Sequence, residues 1–306
     1  MDDNRTPLVS IGMPIYNSEK YLSQALDSLL TQDYPNFELI ISDNSSTDRS
    51  EDICLQYMKK NKRIAYFRND ANLGAGYNFK NAFEHANGDF FMWAGSHDLW
   101  ISDYISRLVN VLQTNPQIAL AYTEMCFIDE RGNDCNTELY HLDTRGMPIL
   151  ERIQIVIKTL SFCNLFYGLY RTSIIKKCRQ GINSLGADHV LLMEISLFGE
   201  IAEVPGKGFL RRAPVMYQND TKRIETTLLR LDPAYKNRHN VRAWWEMGWQ
   251  HILGIWLAPI SNTLKIPLMF VAGKTFYSRF KDVLHHEIFH PLFPKNTATK
   301  SEVPDW

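Results

Sequence analysis

Short apolar runs closed by polar clusters alternate with amphipathic segments over the first third of the chain. LVSIGMP (8–14) reads as a buried strand that Pro14 closes. Asn17 or Ser18 then caps a helix in which Tyr21, Leu22, Ala25, Leu26, Leu29 and Leu30 recur at helical spacing. FELIISD (37–43) predicts a second strand, and the polar run DNSSTD caps a helix that reaches Tyr57. IAYFR (64–68) predicts a third strand, residues 76–86 a helix, and DFFMW (89–93), after Gly88, a fourth strand.

Such alternation predicts an α/β domain built on a mostly parallel sheet. Open sheets of this kind bind ligands beyond the carboxyl ends of their strands. Tyr16 and Asn17, Asp43 and Asn44, and Ser96 to Asp98 all stand there, so three strand ends are expected to converge on one polar site.

After residue 116 the pattern loosens. IALAYTEMCFIDERGNDC predicts a strand entering a hairpin at 131–133, residues 150–160 a helix, and FCNLFYGLYR a strand. Asp188 opens the helix DHVLLMEISLFG, one face of which is expected to be buried. IAEVPG and FLRRAPV read as short strands returning to the sheet, and residues beyond 221 as helices rich in Trp, Leu and Arg with a frayed end. Two units are expected, 1–220 and 221–306.

Composition narrows the possible functions. A hydrophobic content of 45% and a charged content of 22% describe a globular chain with a sizeable core. The net charge of −1 argues against a general nucleic-acid binder. From Arg211 to Lys300, however, fourteen Lys and Arg face six Asp and Glu, so the tail is basic. The five cysteines form no CxxC pair, which fits reduced thiols and a cytoplasmic setting rather than a disulfide frame or a zinc site. MDDNRTPL carries no signal-peptide pattern, and no run of about 18 apolar residues predicts a spanning helix.

The segment VSIGMPIYNSEKYLSQALDSLLTQDYPNFELIISDNSSTDRS resembles the opening of glycosyltransferase family 2. NLGAGYNFKNAFEHANGDFFMWAGSHDLW and GADHVLL follow in the family's order, and the similarity covers roughly residues 7–215. The resemblance implies a GT-A fold, a Rossmann-like sheet flanked by helices, here with a helical C-terminal extension. It implies an inverting transfer of sugar from a nucleotide-sugar donor, a UDP-sugar by preference. The acceptor it implies is a saccharide or lipid-linked saccharide, as in bacterial surface polysaccharide assembly.

The resemblance also implies roles for individual residues. Pro14, Tyr16 and Asn17 match the loop packed on the nucleotide base, and Asp43, with Asn44 beside it, matches the carboxylate that binds base or ribose. An acceptor-only carboxylate suits a uracil N–H or ribose hydroxyls, although capping of the next helix accounts for Asp43 as well, and better for Ser45 and Ser46. Gly74, Gly76 and Asn78 match a segment passing close to the nucleotide, where a simple turn is the competing explanation. Asp188 matches the general base that takes the acceptor's proton, and an N-cap role is compatible with it.

AGSHD matches the acidic metal-binding motif, with Gly95 and His97 where carboxylates are expected and Asp98 after them. Ser96 sits inside it on the donor side. His97 and Asp98 are the candidate metal ligands, and a His/Asp pair favours Mn²⁺ over Mg²⁺. Should no metal bind, Arg211 or Arg212 is the candidate clamp on the diphosphate. The depleted motif leaves a second reading open, a GT-A module that binds a nucleotide sugar or glycan without turning it over.

Two tail features remain. HEIFH (286–290) satisfies the zinc-protease pattern H-E-x-x-H, but Pro291 ends the helix at once, and exposed polar residues are the expected reading. The Trp- and Lys-rich tail suits either the inner face of an anionic membrane or packing on the body of the protein or on a second copy.

Overall fold

The computed structural model describes residues 5–135, 141–160, 163–212 and 220–292. Strands β1 (Val9–Ile15), β2 (Phe37–Asp43), β3 (Ile64–Arg68) and β4 (Phe90–Trp93) alternate with helices α1 (Leu22–Leu30), α2 (Ser50–Lys60) and α3 (Ala75–Glu84). The short β5 (Leu99–Trp100), α4 (Tyr104–Thr114) and the long β6 (Ile118–Ile128) follow. Then come α5 (Ile149–Thr159), β7 (Leu169–Arg171), α6 (Thr172–Ile175), α7 (Ala187–Phe198) and β8 (Glu200–Arg212). α8 (Asp220–Leu231), α9 (Ala243–Leu257) and α10 (Asn262–Phe289), the last interrupted at Phe280, follow.

The eight strands of the described residues form one sheet in the order β3-β2-β1-β4-β7-β6-β8-β5. β1 runs parallel to β2 and β4, while β7 lies antiparallel between β4 and β6. Side chains alternate across the sheet as the two-residue period requires. Phe91 and Trp93 enter a core shared with α5, α7, α9 and α10, whereas Phe90 and Met92 enter a second core with α1 and α4. Trp93 is 1% exposed and stacks on Phe166 at 4.8 Å, and burying a ring of that size contributes roughly 2–3 kcal/mol.

Three expectations are corrected. Among the described residues of FCNLFYGLYR, 164–167 form a 3-10 turn and only Leu169–Arg171 is strand. IAEVPG and the FLRR of FLRRAPV belong to one 13-residue strand, since β8 pairs with β6 through several register shifts instead of breaking, while residues 213–215 lie outside the described residues. α1 starts at Leu22, because Asn17 adopts a left-handed φ of 46° and its Oδ1 accepts from Thr47 N at 2.8 Å instead of capping the helix. The C-terminal helices share a core with the sheet: Met247, Ile255, Leu268, Ala272 and Phe276 pack in the same cluster as Val190 and Leu192 of α7.

A buried relay ties these helices together. His251 of α9 donates Nδ1–H to the Met247 carbonyl at 2.8 Å, so its Nε2 accepts from His189 Nδ1 at 2.9 Å. His189 Nε2 is left to accept from Arg279 of α10 at 3.3 Å. Burial holds both rings neutral, pushing His251 down to about 4 and His189 well below its usual range, with Arg279 facing both and Arg179 also facing His251. The unfolded chain binds protons near pH 6.5 that the fold rejects, so stability is full above that pH and is lost as pH falls towards 4. The loss from His251 is expected to be on the order of 3 kcal/mol. Urea unfolding at several pH values checks this: His251→Gln, which takes no proton, should flatten that part of the decline.

Candidate functional site

The carboxyl ends of β1, β2 and β4 lie side by side, with Ile15 in register with Asp43 and Gly12 with Trp93. The loops leaving them wall a cavity of ≈ 230 Å³ lined by Pro14, Tyr16, Asn44, Asn78, Ser96 and His97. Beside it lies a second cavity of ≈ 350 Å³, lined by Phe166, Gly186, Asp188 and Leu191. Ala75, Phe79, Tyr167, Arg211 and Arg230 line both and form the seam between them.

An amide network shapes the first cavity. Asn78 is buried and donates to the carbonyls of Ile15 at 3.1 Å and Ser42 at 2.9 Å, joining the ends of β1 and β2. Asn44 donates to Asn72 Oδ1 at 2.7 Å and accepts from Leu73 N at 3.0 Å. Gly74, with φ of 88°, starts α3, and a Cβ there would lie 2.4 Å from the Leu231 carbonyl of α8. Only glycine permits both that backbone angle and that approach.

Asp43 faces its own turn. Its Oδ1 accepts from Ser46 N at 2.9 Å and Ser46 Oγ at 2.6 Å; its Oδ2 accepts from Tyr66 at 2.6 Å and Arg68 at 3.1 Å. The carboxylate is fully buried and its lone-pair directions are occupied. Ser46 Oγ in turn accepts from Asn17 N at 3.0 Å, so Asp43 pins Asn17, which does not itself line the cavity but sits between the lining residues Tyr16 and Ser18.

The strand β8 returns to the loop after β4. Leu210 pairs with Leu99, and Arg212 N donates to Asp98 Oδ1 at 2.9 Å. The Arg212 guanidinium donates to the carbonyls of His97, Asp129 and Glu130 and to Gln24, and lies 4.1 Å from the Tyr21 ring centroid. That guanidinium is a buried brace for the loop. Arg211 instead donates to Asn164 at 3.1 Å and lies at the seam, 5.8 Å from the Tyr167 ring centroid.

Gly95 explains the missing acid. A Cβ at that position would lie 2.6 Å from Asp98 Oδ2, so the Asp98 carboxylate fills the space an acidic side chain would enter. Asp98 is fully buried, its Oδ2 makes no hydrogen bond, and its Oδ1 stands 3.7 Å from His97 Nε2 on a ring 36% exposed. Among the described residues no group of three His, Cys, Asp or Glu could hold a metal. His97 with the orphaned Asp98 oxygen fits a cation that takes its remaining ligands from the substrate.

Asp188 lies in the first turn of α7, after Gly186 with φ of 64°, and its Oδ1 accepts from His189 N at 2.8 Å. It borders the second cavity beside Cys163, whose thiol is pushed well up by burial and then by the Asp188 charge. Tyr167 at the seam is pushed up to about 12, chiefly by burial, and stays neutral. In HEIFH, Glu287 is buried, contrary to expectation: it accepts from Trp244 N at 3.0 Å and Trp245 N at 3.4 Å and caps α9. Sequence reasoning missed Arg230, Tyr167 and the aromatic wall of Phe79 and Phe166, because none lies in a local motif.

Residues 10–179, more than half of the chain, match the family described as Glycosyl transferase family 2. An uncharacterized glycosyltransferase of Haemophilus influenzae is 35% identical over 154 residues, which are 50% of this chain and 61% of that protein. The putative teichuronic acid biosynthesis glycosyltransferase TuaG of Bacillus subtilis is 36% identical over 129 residues, 42% of this chain and 51% of that one. The chain thus spans less than two thirds of these relatives. Among solved structures, S. aureus TarS 1-349 with UDP-GlcNAc has a TM-score of 0.63 at 18% identity, covering 89% of this chain and 73% of that one. The mannosyltransferase PcManGT of Pyrobaculum calidifontis, with GDP-Man and Mn2+, has a TM-score of 0.56 at 12% identity, covering 94% and 75%. Both share the GT-A fold with this chain.

Proposed function

The chain belongs to glycosyltransferase family 2, and from that premise we propose that it transfers a sugar, with inversion, from a nucleotide-sugar donor to a saccharide hydroxyl. A UDP-sugar is the favoured donor, and a lipid-linked saccharide in surface polysaccharide assembly the favoured acceptor class. The observation that carries this reading is the pair of adjoining cavities, one at the strand ends and one holding Asp188, with Arg211 and Arg230 at the seam.

The nucleoside occupies the first cavity, between Tyr16 and the Asn44–Asn78 network, and the acceptor the second. Asp188 takes the proton of the acceptor hydroxyl as its oxygen attacks the anomeric carbon. The bond from that carbon to the β-phosphate oxygen breaks, and its electron pair leaves with the nucleoside diphosphate. Arg211 and Arg230 at the seam offset the charge that builds up on the leaving group. A divalent cation bound with the donor would be held by His97 and Asp98 and supply Lewis-acid neutralisation, with imidazole favouring Mn²⁺. The phenol of Tyr167 and the rings of Phe79 and Phe166 exclude water around the reacting carbon.

Titrating UDP-, GDP-, CMP- and dTDP-sugars with and without Mn²⁺ tests the reading by calorimetry and by donor hydrolysis. Binding of a nucleotide sugar with turnover supports it; no binding in any arm overturns it. Binding without hydrolysis across donors and acceptors favours the non-catalytic module, a reading the loss of the acid at Gly95 keeps distinct. Arg211→Gln and Arg230→Gln are each expected to lower turnover about 100-fold. Both should weaken UDP binding and leave uridine binding unchanged, a contrast that unequal calorimetric losses would reveal.

A further inference from the structure

α9 and α10 each use one face to hold the body of the protein. Met247, His251 and Ile255 of α9 and Leu268, Ala272 and Phe276 of α10 are buried. The opposite faces are apolar and open. On α9, Trp245, Trp249 and Trp256 are 42%, 62% and 59% exposed and recur four and seven residues apart, on one stripe. On α10, Ile266, Phe270 and Tyr277 repeat the same spacing at 72%, 71% and 46% exposure. The stripes adjoin: Ile252 of α9 reaches over Gly273 of α10, its Cδ1 3.6 Å from where a Cβ would stand.

The charge on these stripes has one sign. Arg242 begins the α9 stripe, and Lys274 and Lys281 continue that of α10, all three exposed. Lys265 donates to the Trp256 carbonyl at 2.8 Å, at the turn between the helices. Of the acids on the two helices, Glu246 is paired with Arg238, Glu287 is buried as a cap, and Asp282 lies off the stripe.

We propose that the α9–α10 face docks on the headgroup region of an anionic lipid bilayer, with the tryptophans and Phe270 entering the interface and the lysines and Arg242 pairing with lipid phosphates. Amphipathic rings prefer that boundary, and basic residues beside them are attracted by its negative potential. A second copy of the chain is disfavoured, because a two-fold contact would set Lys274, Lys281 and Arg242 against their own counterparts. Among the described residues no helix is long and apolar enough to cross a membrane, so the helices lie in its plane. Met247 of α9 packs beneath Gly186, two residues before Asp188, so docking holds the second cavity at a set distance from the lipid surface.

Cosedimentation of the full chain with phosphatidylcholine vesicles, with and without phosphatidylglycerol, tests this. Binding should require phosphatidylglycerol, weaken with salt and shift tryptophan emission to the blue. Trp249→Ser and Phe270→Ser should each lower partitioning about tenfold. Lys274→Glu with Lys281→Glu should abolish the preference for phosphatidylglycerol at an unchanged thermal midpoint. Absence of binding to either vesicle, or equal binding by folded variants, overturns the proposal. A dimer in sedimentation velocity that Trp249→Ser dissociates overturns it in favour of a second copy.

Discussion

Asp188→Asn is expected to lower sugar transfer by roughly 10²–10⁴-fold while nucleotide affinity stays within about twofold. The amide keeps the shape of the carboxylate and still accepts from His189 N, the bond Asp188 Oδ1 makes at 2.8 Å in the first turn of α7. It has no basicity with which to take a hydroxyl proton. The nucleoside cavity is lined by other residues, since Asp188 borders only the second cavity. Steady-state kinetics with calorimetry for UDP therefore separates the roles. A fall in turnover at constant UDP affinity is the result of losing a base, whereas a parallel loss of affinity would give Asp188 a place in donor binding. Cys163 at its side makes a second check, because Cys163→Ser should change turnover far less than Asp188→Asn.

Asp43→Ala is expected to destabilise the fold by roughly 3–5 kcal/mol, as removal of one partner from a buried, charge-assisted network does. Arg68 keeps only Glu51 and the Ser46 carbonyl, while Tyr66 and the buried Ser46 lose their acceptor. The thermal midpoint should drop by roughly 5–15 °C. Nucleotide binding should weaken at the same time, because the turn that holds Asn17 and Asn44 is no longer pinned. Scanning calorimetry with and without UDP distinguishes this from direct recognition. An unchanged midpoint with weaker UDP binding would mean that the carboxylate leaves its turn to meet the ligand.

Legibility in the sequence followed the range of the interactions. β1 to β4 and the helices between them were readable because periodicity and turn residues are local, and the convergence of three strand ends followed from parallel pairing alone. β7 is shorter than its apolar run predicts, because such a run does not distinguish a 3-10 turn from extended chain. Pro205 and Gly206 have the look of a strand end, yet pairing with β6 absorbs them as an irregularity within one strand, β8. In HEIFH the spacing of two histidines was visible, but the use of Glu287 as a cap for α9 depends on a helix 43 residues away.

The sequence by itself determined the α/β alternation, the family and the polar residues at the strand ends, since these rest on neighbours in the chain and on short motifs. Only the tertiary structure decided what each polar residue does. Asp43 is bonded by Tyr66 and Arg68 of β3, and Arg212 by carbonyls of the loop after β6. Gly95 accommodates Asp98 because β8 holds that carboxylate in place, and Arg230 joins the site because the end of α8 lines both cavities. The physical reason is that hydrogen bonding saturates. A side chain's chemistry is written in its residue type, but the partners that use up or spare its donors and acceptors come from distant segments.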